Sequence, residues 1–365
     1  MKNEKLQEKR SLVQGNISLA LLAFAFPIFL GNVLGVALSW CDGYLLSRYS
    51  GDNAFAGLNV GGVLISLGSI FATAFPVGMG SLSSLYFAQG NNEKIRKNFC
   101  SSLVLSLSVA VLIVGLTLAL IDPFLPLLNL EKGTAIYESA RLYAYVAAFS
   151  FFGSTLYSFL ISYLRSLGEK TMPFVLIGVD TATAIGFDFL FLVACHLGVT
   201  GVALSALIAG IISDIVGFVY LLIAHPELRI HRGDFHFEKA EIAKQLRLSL
   251  PLALQLTVIS LGGFWIQSAI DGLGKNAILA LSALGKLTAC LGLFGNGLNN
   301  AIGPFMAQNL GKSQAKRAKQ GLNIELAMAF GFSILDAVIL IFCYEPVLGI
   351  FVSEINGEIL SYARL

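Results

Sequence analysis

The sequence predicts an all-α fold: a polytopic transmembrane helical bundle, built as a two-lobe parallel repeat with an incomplete second lobe. Three observations carry that prediction. Charged residues make up only 13% of the chain and the mean hydropathy is +0.77, whereas soluble domains carry about 25% charged residues. Apolar stretches of the roughly 20 residues that a bilayer-spanning helix needs recur along the chain. The chain also resembles itself: FPIFLGNVLGVALSWCDGYLLSRYSGDNAFAGLN, from Phe26, is echoed by LPLALQLTVISLGGFWIQSAIDGLGKNAILALS, from Leu250.

The first 12 residues, MKNEKLQEKRSL, are charged, and residues 1–15 form an N-terminal tail. The apolar stretch behind them is too long for a signal peptide and no small-residue cleavage site follows it, so it is a retained first helix. Spanning segments then follow near 17–40, 54–87, 98–121, 136–163, 172–195, 199–223, 246–270, 277–308 and 320–344, nine in all. A tenth begins near 356. Gly and Pro recur inside them, as spanning helices tolerate. The polar breaks are short; the longest, 224–245, reads as a linker between an N-lobe of six helices (16–223) and a partial C-lobe (246–365) of three helices and the start of a fourth.

Basic residues alternate. Lys2, Lys5, Lys9 and Arg10 lie in the tail, Lys94, Arg96 and Lys97 in the second break, Arg165 and Lys170 in the fourth. Arg229, Arg232, Lys239, Lys244 and Arg247 lie in the sixth, and Lys312, Lys316, Arg317 and Lys319 in the eighth. The odd breaks hold far fewer, chiefly Arg48, Lys132 and Lys275. By the positive-inside rule the N-terminus and the even breaks are cytoplasmic, in a multi-pass protein of the cell (inner or plasma) membrane.

In the internal repeat Pro27 pairs with Pro251, and GDNAFA at Gly51 with GKNAIL at Gly274. The second helix of each half ends alike, FAQGNNEKIRKN at Phe87 and MAQNLGKSQAKRAK at Met306. Six helices separate Pro27 from Pro251, so the halves share one orientation. This is the parallel kind of transporter repeat, which binds substrate between or within its lobes. LSYARL at 360–365 matches ESARLYAY at 138–145, where the fourth helix starts. The expectation is that about three helices of a parallel repeat are missing and that the chain is a fragment or a truncated gene product.

Composition also excludes. A net charge of +2, with no basic aromatic patch, argues against a nucleic-acid partner. The five cysteines stand singly, mostly in apolar runs, and read as small core residues. No nucleotide loop, metal cluster or nucleophile with its base points to an enzyme, and no cofactor is expected. His196, His225, His231 and His236 read as solvent-facing loop residues.

Order, spacing and repetition together give the chain a family resemblance. From about residue 16 onward it resembles the multidrug and toxic compound extrusion transporters, through LLAFAFPIFLGNVL, CDGYLLSRYSGDNAFAGL, AQGNNEKIRKN, YLRSLGEKTMP and LGVTGVALSALIAG. The resemblance implies two matched helical bundles, and independently the missing helices. It implies secondary antiport, with organic cations or drugs exported in exchange for inward Na⁺ or H⁺.

An ionised side chain in the hydrocarbon is costly, so it usually faces a cavity and marks function. Asp42 closes the first segment; the bland alternative is an interfacial carboxylate near Arg48. Asp188 lies inside the fifth segment, within AIGFDFLFL. Asp180 lies eight residues earlier on roughly the same face, so the two acids suggest a polar lining. In the DinF-type branch, the resemblance implies, an Asp of the first helix, an Asn and an Asp of the fifth and a Thr of the sixth form a cation and proton site. Asp42 and Asp188 match it; the Asn position falls on Ala184 and the Thr position on Ala206, with Ser205 beside it. Two carboxylates and a hydroxyl are few for a hard cation that takes about five or six oxygens. The same acids can trade protons, which favours H⁺ over Na⁺ as the coupling ion.

Further candidates for the cavity lining are Asp214 in the sixth segment, Gln255 in the seventh, and Lys286, Asn299 and Asn300 in the eighth. Asp336 in the ninth is a packing group or part of a C-lobe path. Ile259 stands where other branches carry an acid near Gln255, so a C-lobe sodium site is not expected. The expected partners are a small organic cation or drug and the lipid bilayer, the protein being a monomer. The alternatives are a lipid-linked saccharide flippase of the same superfamily and a degenerate, non-transporting fragment.

Overall fold

The computed structural model describes residues 12–50, 52–128, 132–226, 229–235, 238–272, 275–351 and 357–364; within its helices some side chains, Lys286 among them, lie outside the described set. The chain runs through α1 (Ile17–Ser50), α2 (Asp52–Gln89), α3 (Asn92–Phe124), α4a (Ala135–Ala148), α4b (Ser150–Ser166), α5 (Thr171–Asp188), α6 (Val199–Ala224), α7 (Lys239–Gly272), α8 (Lys275–Gly311), α9 (Ala315–Phe351) and α10 (Gly357–Arg364). There is no strand among the described residues. Among the described residues, seven helices are long and apolar enough to cross a membrane, and the pair α4a–α4b, taken as one span, makes an eighth. The remaining expected segment is present as the 37-residue α8.

The repeat is visible helix by helix. α1 and α7 are both 34 residues long, with Pro27 and Pro251 inside them. Pro123 of α3 corresponds to Pro346 of α9, and α2 and α8 each carry a proline, Pro76 and Pro304, at different positions. Local signals place the boundaries. Gly90 takes φ +71 to end α2, a conformation only glycine adopts freely. Next to it, the Asn91 side chain accepts from the Lys94 amide at 3.0 Å and caps α3.

Two expected boundaries are corrected. The first helix runs on to Ser50, so Asp42 lies inside it rather than closing it. The extension is held because Leu45 and Leu46 are buried against Leu192, Val199 and Val202. The linker is shorter than 224–245, because Lys239–Gln245 is already helical in α7. The expected tail, 1–15, ends in docked residues: Leu12 and Val13 are buried, and the Leu12 amide donates to Gln308 Oε1 at 3.0 Å. The fourth segment is bent by 44° at Phe149. No proline lies there. Instead Ser150 Oγ donates back to the Ala147 carbonyl at 2.6 Å, and a side chain inserted in the ladder is a recognised cause of kinks.

α2 is the hub of the bundle. It packs on α3, α4a, α4b, α7 and α8. Lipid tails are as apolar as leucine, so helices in a bilayer associate by close backbone approach and interhelical hydrogen bonds. A Cβ at Gly61 would meet the Ala140 carbonyl oxygen at 2.7 Å, and one at Gly78 would meet Ser249 Cα at 2.5 Å. The second contact joins the halves. The described hydrogen bonds between the halves lie between the N-terminal end of the bundle and its middle. Buried Gln245 of α7 donates to Asn98 Oδ1 at 2.7 Å and to Ser101 Oγ at 2.6 Å, and Gln308 of α8 donates to the Ser166 carbonyl at 3.2 Å. Highest up, Asn32 of α1 donates to the Leu293 carbonyl at 3.4 Å.

Candidate functional site

Above that contact the halves part around a cleft. One chamber, about 680 Å³, is lined by α1, α2, α4b and α5 together with Leu256, Leu293, Asn296 and Asn300 of the second half. A second, about 470 Å³, adjoins it on the side of α7 and α8. Ser162, Arg165, Asn296 and Asn300 border both. Asp180 of α5 stands on the wall of the larger chamber. Gln255, Asn299 and Asn300 line the smaller one.

A third chamber, about 380 Å³, lies further along α1 and holds Asp42, Asn59, Ser66 and Tyr143. Ser39 borders both it and the larger chamber of the cleft. At about 1.5 Å per residue along α1, Asp42 stands well away from the end that carries the tail. Its carboxyl meets that of Asp188 side chain to side chain. Asp188 is 1% exposed and is the last residue of α5, where the chain passes into the π-helical turn Phe189–Ala194. Such turns widen the backbone ladder and occur often at functional sites. Ser205 of α6, itself buried, hydrogen-bonds Asp188 Oδ1, and its Oγ also lies 3.0 Å from the Val202 carbonyl. Asp42 Oδ1 is out of solvent and meets no hydrogen-bond partner. Two carboxyl groups can hydrogen-bond only when one of them carries a proton. The geometry is that of two carboxyls side by side, with a hydroxyl behind one of them.

Ala184 and Ala206, which stand where the resemblance implies an Asn and a Thr, are respectively buried at 3% and exposed. Asp180 and Asp188 do not share a chamber. Asp180 opens on the cleft, while Asp188 is buried beside Asp42. Asp214, 6% exposed on α6, interacts electrostatically with Asp180, and its Oδ1 meets no partner. Asp336 is half-buried on α9 and borders neither chamber of the cleft. The side chain of Lys286 lies outside the described residues.

Two groups depart from the sequence reading. Arg165, expected in a cytoplasmic break, belongs to the last turn of α4b and lines the cleft. Its signal is present in the sequence: Ser158, Ser162 and Arg165 repeat at helical spacing on one face of an apolar helix, and all three border the larger chamber. His225, expected in solvent, is 4% exposed, with Nε2 at 3.3 Å from Glu169 Oε1, which also accepts from Tyr220 Oη at 3.0 Å. His196 and His231 are exposed as expected, and His236 lies outside the described residues.

Known proteins resemble this chain over most of its length. A probable multidrug resistance protein YpnP of Bacillus subtilis is 24% identical over 314 residues, covering 83% of this chain and 67% of that protein. A FAD transporter of Shewanella oneidensis is 22% identical over 357 residues, covering 96% of this chain and 77% of that one. The crystal structure of a MATE protein in the bent conformation shares the fold with TM-score 0.86 at 20% identity, over 97% of this chain and 78% of the other. The MatE family model matches residues 27–190 and 251–364, which takes in both repeats, the acid pair and the cleft. The chain thus belongs to the MatE family, a family of multi-pass membrane transporters rather than enzymes.

Proposed function

We propose that the protein is a DinF-type secondary antiporter that exports drugs or other organic compounds in exchange for H⁺, with Asp42 and Asp188 as the proton-coupling pair. The observation that carries this reading is the contact between the two carboxyls, with Ser205 behind Asp188. Ser205 has one proton to donate. With Asp188 ionised, Ser205 donates to the carboxylate. With Asp188 protonated, the acid donates to Ser205, which turns to the Val202 carbonyl. Ser205 thus answers Asp188 in either protonation state. Ala184 and Ala206 withhold two of the oxygens a sodium ion would use, which supports H⁺ over Na⁺. Ser39, bordering both chambers, is the route by which the state of the pair reaches the cleft.

Relatives bear names with different cargoes, a multidrug resistance protein and a FAD transporter, so the cargo is best read from the cleft itself. The basic end of the bundle is taken as cytoplasmic, with the N-terminus, in the cell membrane. In a cysteine-free background, an impermeant thiol reagent should label a cysteine placed at Lys132 and not one placed at Phe235; the reverse pattern would sink that orientation.

The test of coupling is efflux driven by an imposed pH gradient. Asp188→Asn and Asp42→Asn each mimic the protonated acid and cannot release the proton. Either should abolish gradient-driven efflux while leaving the amount of folded protein in the membrane unchanged. Ser205→Ala should slow efflux by about tenfold, as loss of a hydrogen bond to a charged group predicts. Wild-type efflux in both asparagine variants refutes the pair.

A further inference from the structure

Arg165 is the only Lys or Arg that borders the cleft among the described residues. Its Nε is out of solvent and meets no acceptor, and it makes no ion pair among the described residues. A guanidinium with one donor shut away from water and unanswered is costly, and inside a membrane span such a group marks a site. Its neighbours on the chamber walls are hydrogen-bonding but uncharged: Ser162, one turn earlier on α4b, and Asn296 and Asn300, one turn apart on α8. One residue past Arg165, the Ser166 carbonyl accepts from Gln308 of the second half. Arg165 therefore sits on the floor of the cleft, where the halves are joined, and a bare organic cation would be repelled there.

We propose that this floor is a docking site for the oxyanion group, a carboxylate or a phosphate, of an amphipathic substrate. A guanidinium presents its donors as a planar fork that matches an oxyanion at two points, and the asparagine amides add donors of the same kind. Val77, Ile177 and Leu256 offer apolar wall to the body of the molecule, and Asp180 in the same chamber receives a cationic or donor group at its other end. The cargo class is thus the amphipathic anion or zwitterion. This inference rests on the reading of the chain as an exporter, and adds the side of the cargo that the acids do not explain.

The test uses two dyes with one xanthene body. Rhodamine 110 carries a free carboxylate; rhodamine 123 is its methyl ester. Binding to the purified chain in lipid nanodiscs is read by fluorescence anisotropy at fixed pH. Wild type should bind rhodamine 110 more tightly. Arg165→Gln should weaken rhodamine 110 by about tenfold or more and leave rhodamine 123 within about twofold, with Arg165→Lys in between. Competition by benzoate or by phenyl phosphate then says which oxyanion fits better. Equal effects on both dyes, no effect on either, or no preference in wild type each overturn the proposal. If Arg165→Gln does not fold, Asn300→Asp places an acid on the floor and should expel rhodamine 110 selectively; an unselective loss overturns the proposal equally. The two readings fail separately. Rhodamine 110 binding that depends on Arg165, with undiminished export by Asp188→Asn, refutes the proton pair alone. Export abolished by Asp188→Asn, with rhodamine 110 binding indifferent to Arg165, refutes the oxyanion site alone.

Discussion

The two halves of the repeat share the prolines of their first and third helices and differ in chemistry. Fifteen residues after Pro27 stands Asp42; fifteen after Pro251 stands Ile266, 65% exposed. The first half surrounds α2 with its own helices and carries fully buried large side chains such as Phe99, Phe151, Leu160 and Met79. The second half lays α8 on α1, where Phe305 and Leu298 join Phe24 and Leu21 in one buried cluster. Trp265 and Phe342 are each 76% exposed. Duplication thus kept the frame in both halves, while the acid pair, its hydroxyl and the cleft arginine all belong to the first. The second half contributes uncharged amides to the shared walls.

The sharpest way to break that comparison is to put the acid where the second repeat lacks it. Ile266→Asp should cost up to about 3 kcal/mol, the scale for an unpaired acid in a spanning helix, and lower the yield of inserted protein. Wild-type yield would mean that the two repeat positions are not equivalent in their surroundings. Next in size is the joint between the halves. Gly78→Val forces a side chain onto Ser249 and should cost about 2 kcal/mol in denaturant unfolding in mixed micelles. Gly115→Ala on α3, whose added Cβ meets nothing within 4 Å, is the control and should be neutral or stabilising. Equal stability of the two variants would show that the close approach of α2 to α7 is not what holds the halves. The smallest effect is expected at the polar stitch. Gln245→Ala leaves Asn98 Oδ1 and Ser101 short of a donor and should cost about 1–2 kcal/mol. A Gln245→Ala protein as stable as wild type would leave the joint to apolar contact alone.

Much of this is legible in the sequence, and the exceptions have physical reasons. Segment length and the Pro27–Pro251 repeat translate directly into helices, because a backbone in lipid has little choice but to satisfy itself. Asp188 with Ser205 stands out because a lone acid in AIGFDFLFL is costly unless something answers it. Asp42 is visible as a carboxylate but not as a mid-helix one, because hydropathy falls after residue 40 while the buried Leu45 and Leu46 carry the helix on. The bend at Phe149 leaves no mark, since its cause is a serine hydroxyl turned back on the backbone and the composition is the same on both sides. Arg165 is easily misplaced because a basic residue near a glycine at the end of an apolar run looks like a loop. Whether it faces solvent or a cleft depends on how α4b and α8 meet, which neither segment encodes alone. His225 is hidden in the same way, its partner Glu169 lying 56 residues earlier.

The bond between Leu12 and Gln308 spans 296 positions of the chain. Ribosomes add about 5–20 residues per second, so the amide of Leu12 leaves the ribosome roughly 15–60 s before its acceptor exists. Over that interval the first six spans are completed, as far as Ala224, and must stay together without the clasp. Their own aromatic cluster, in which Phe99 lies 4.6 Å from Tyr163 and 5.0 Å from Phe159, is available to hold them. Leu12 is thus made long before it can find its place, and its docking marks the moment at which α8 has arrived.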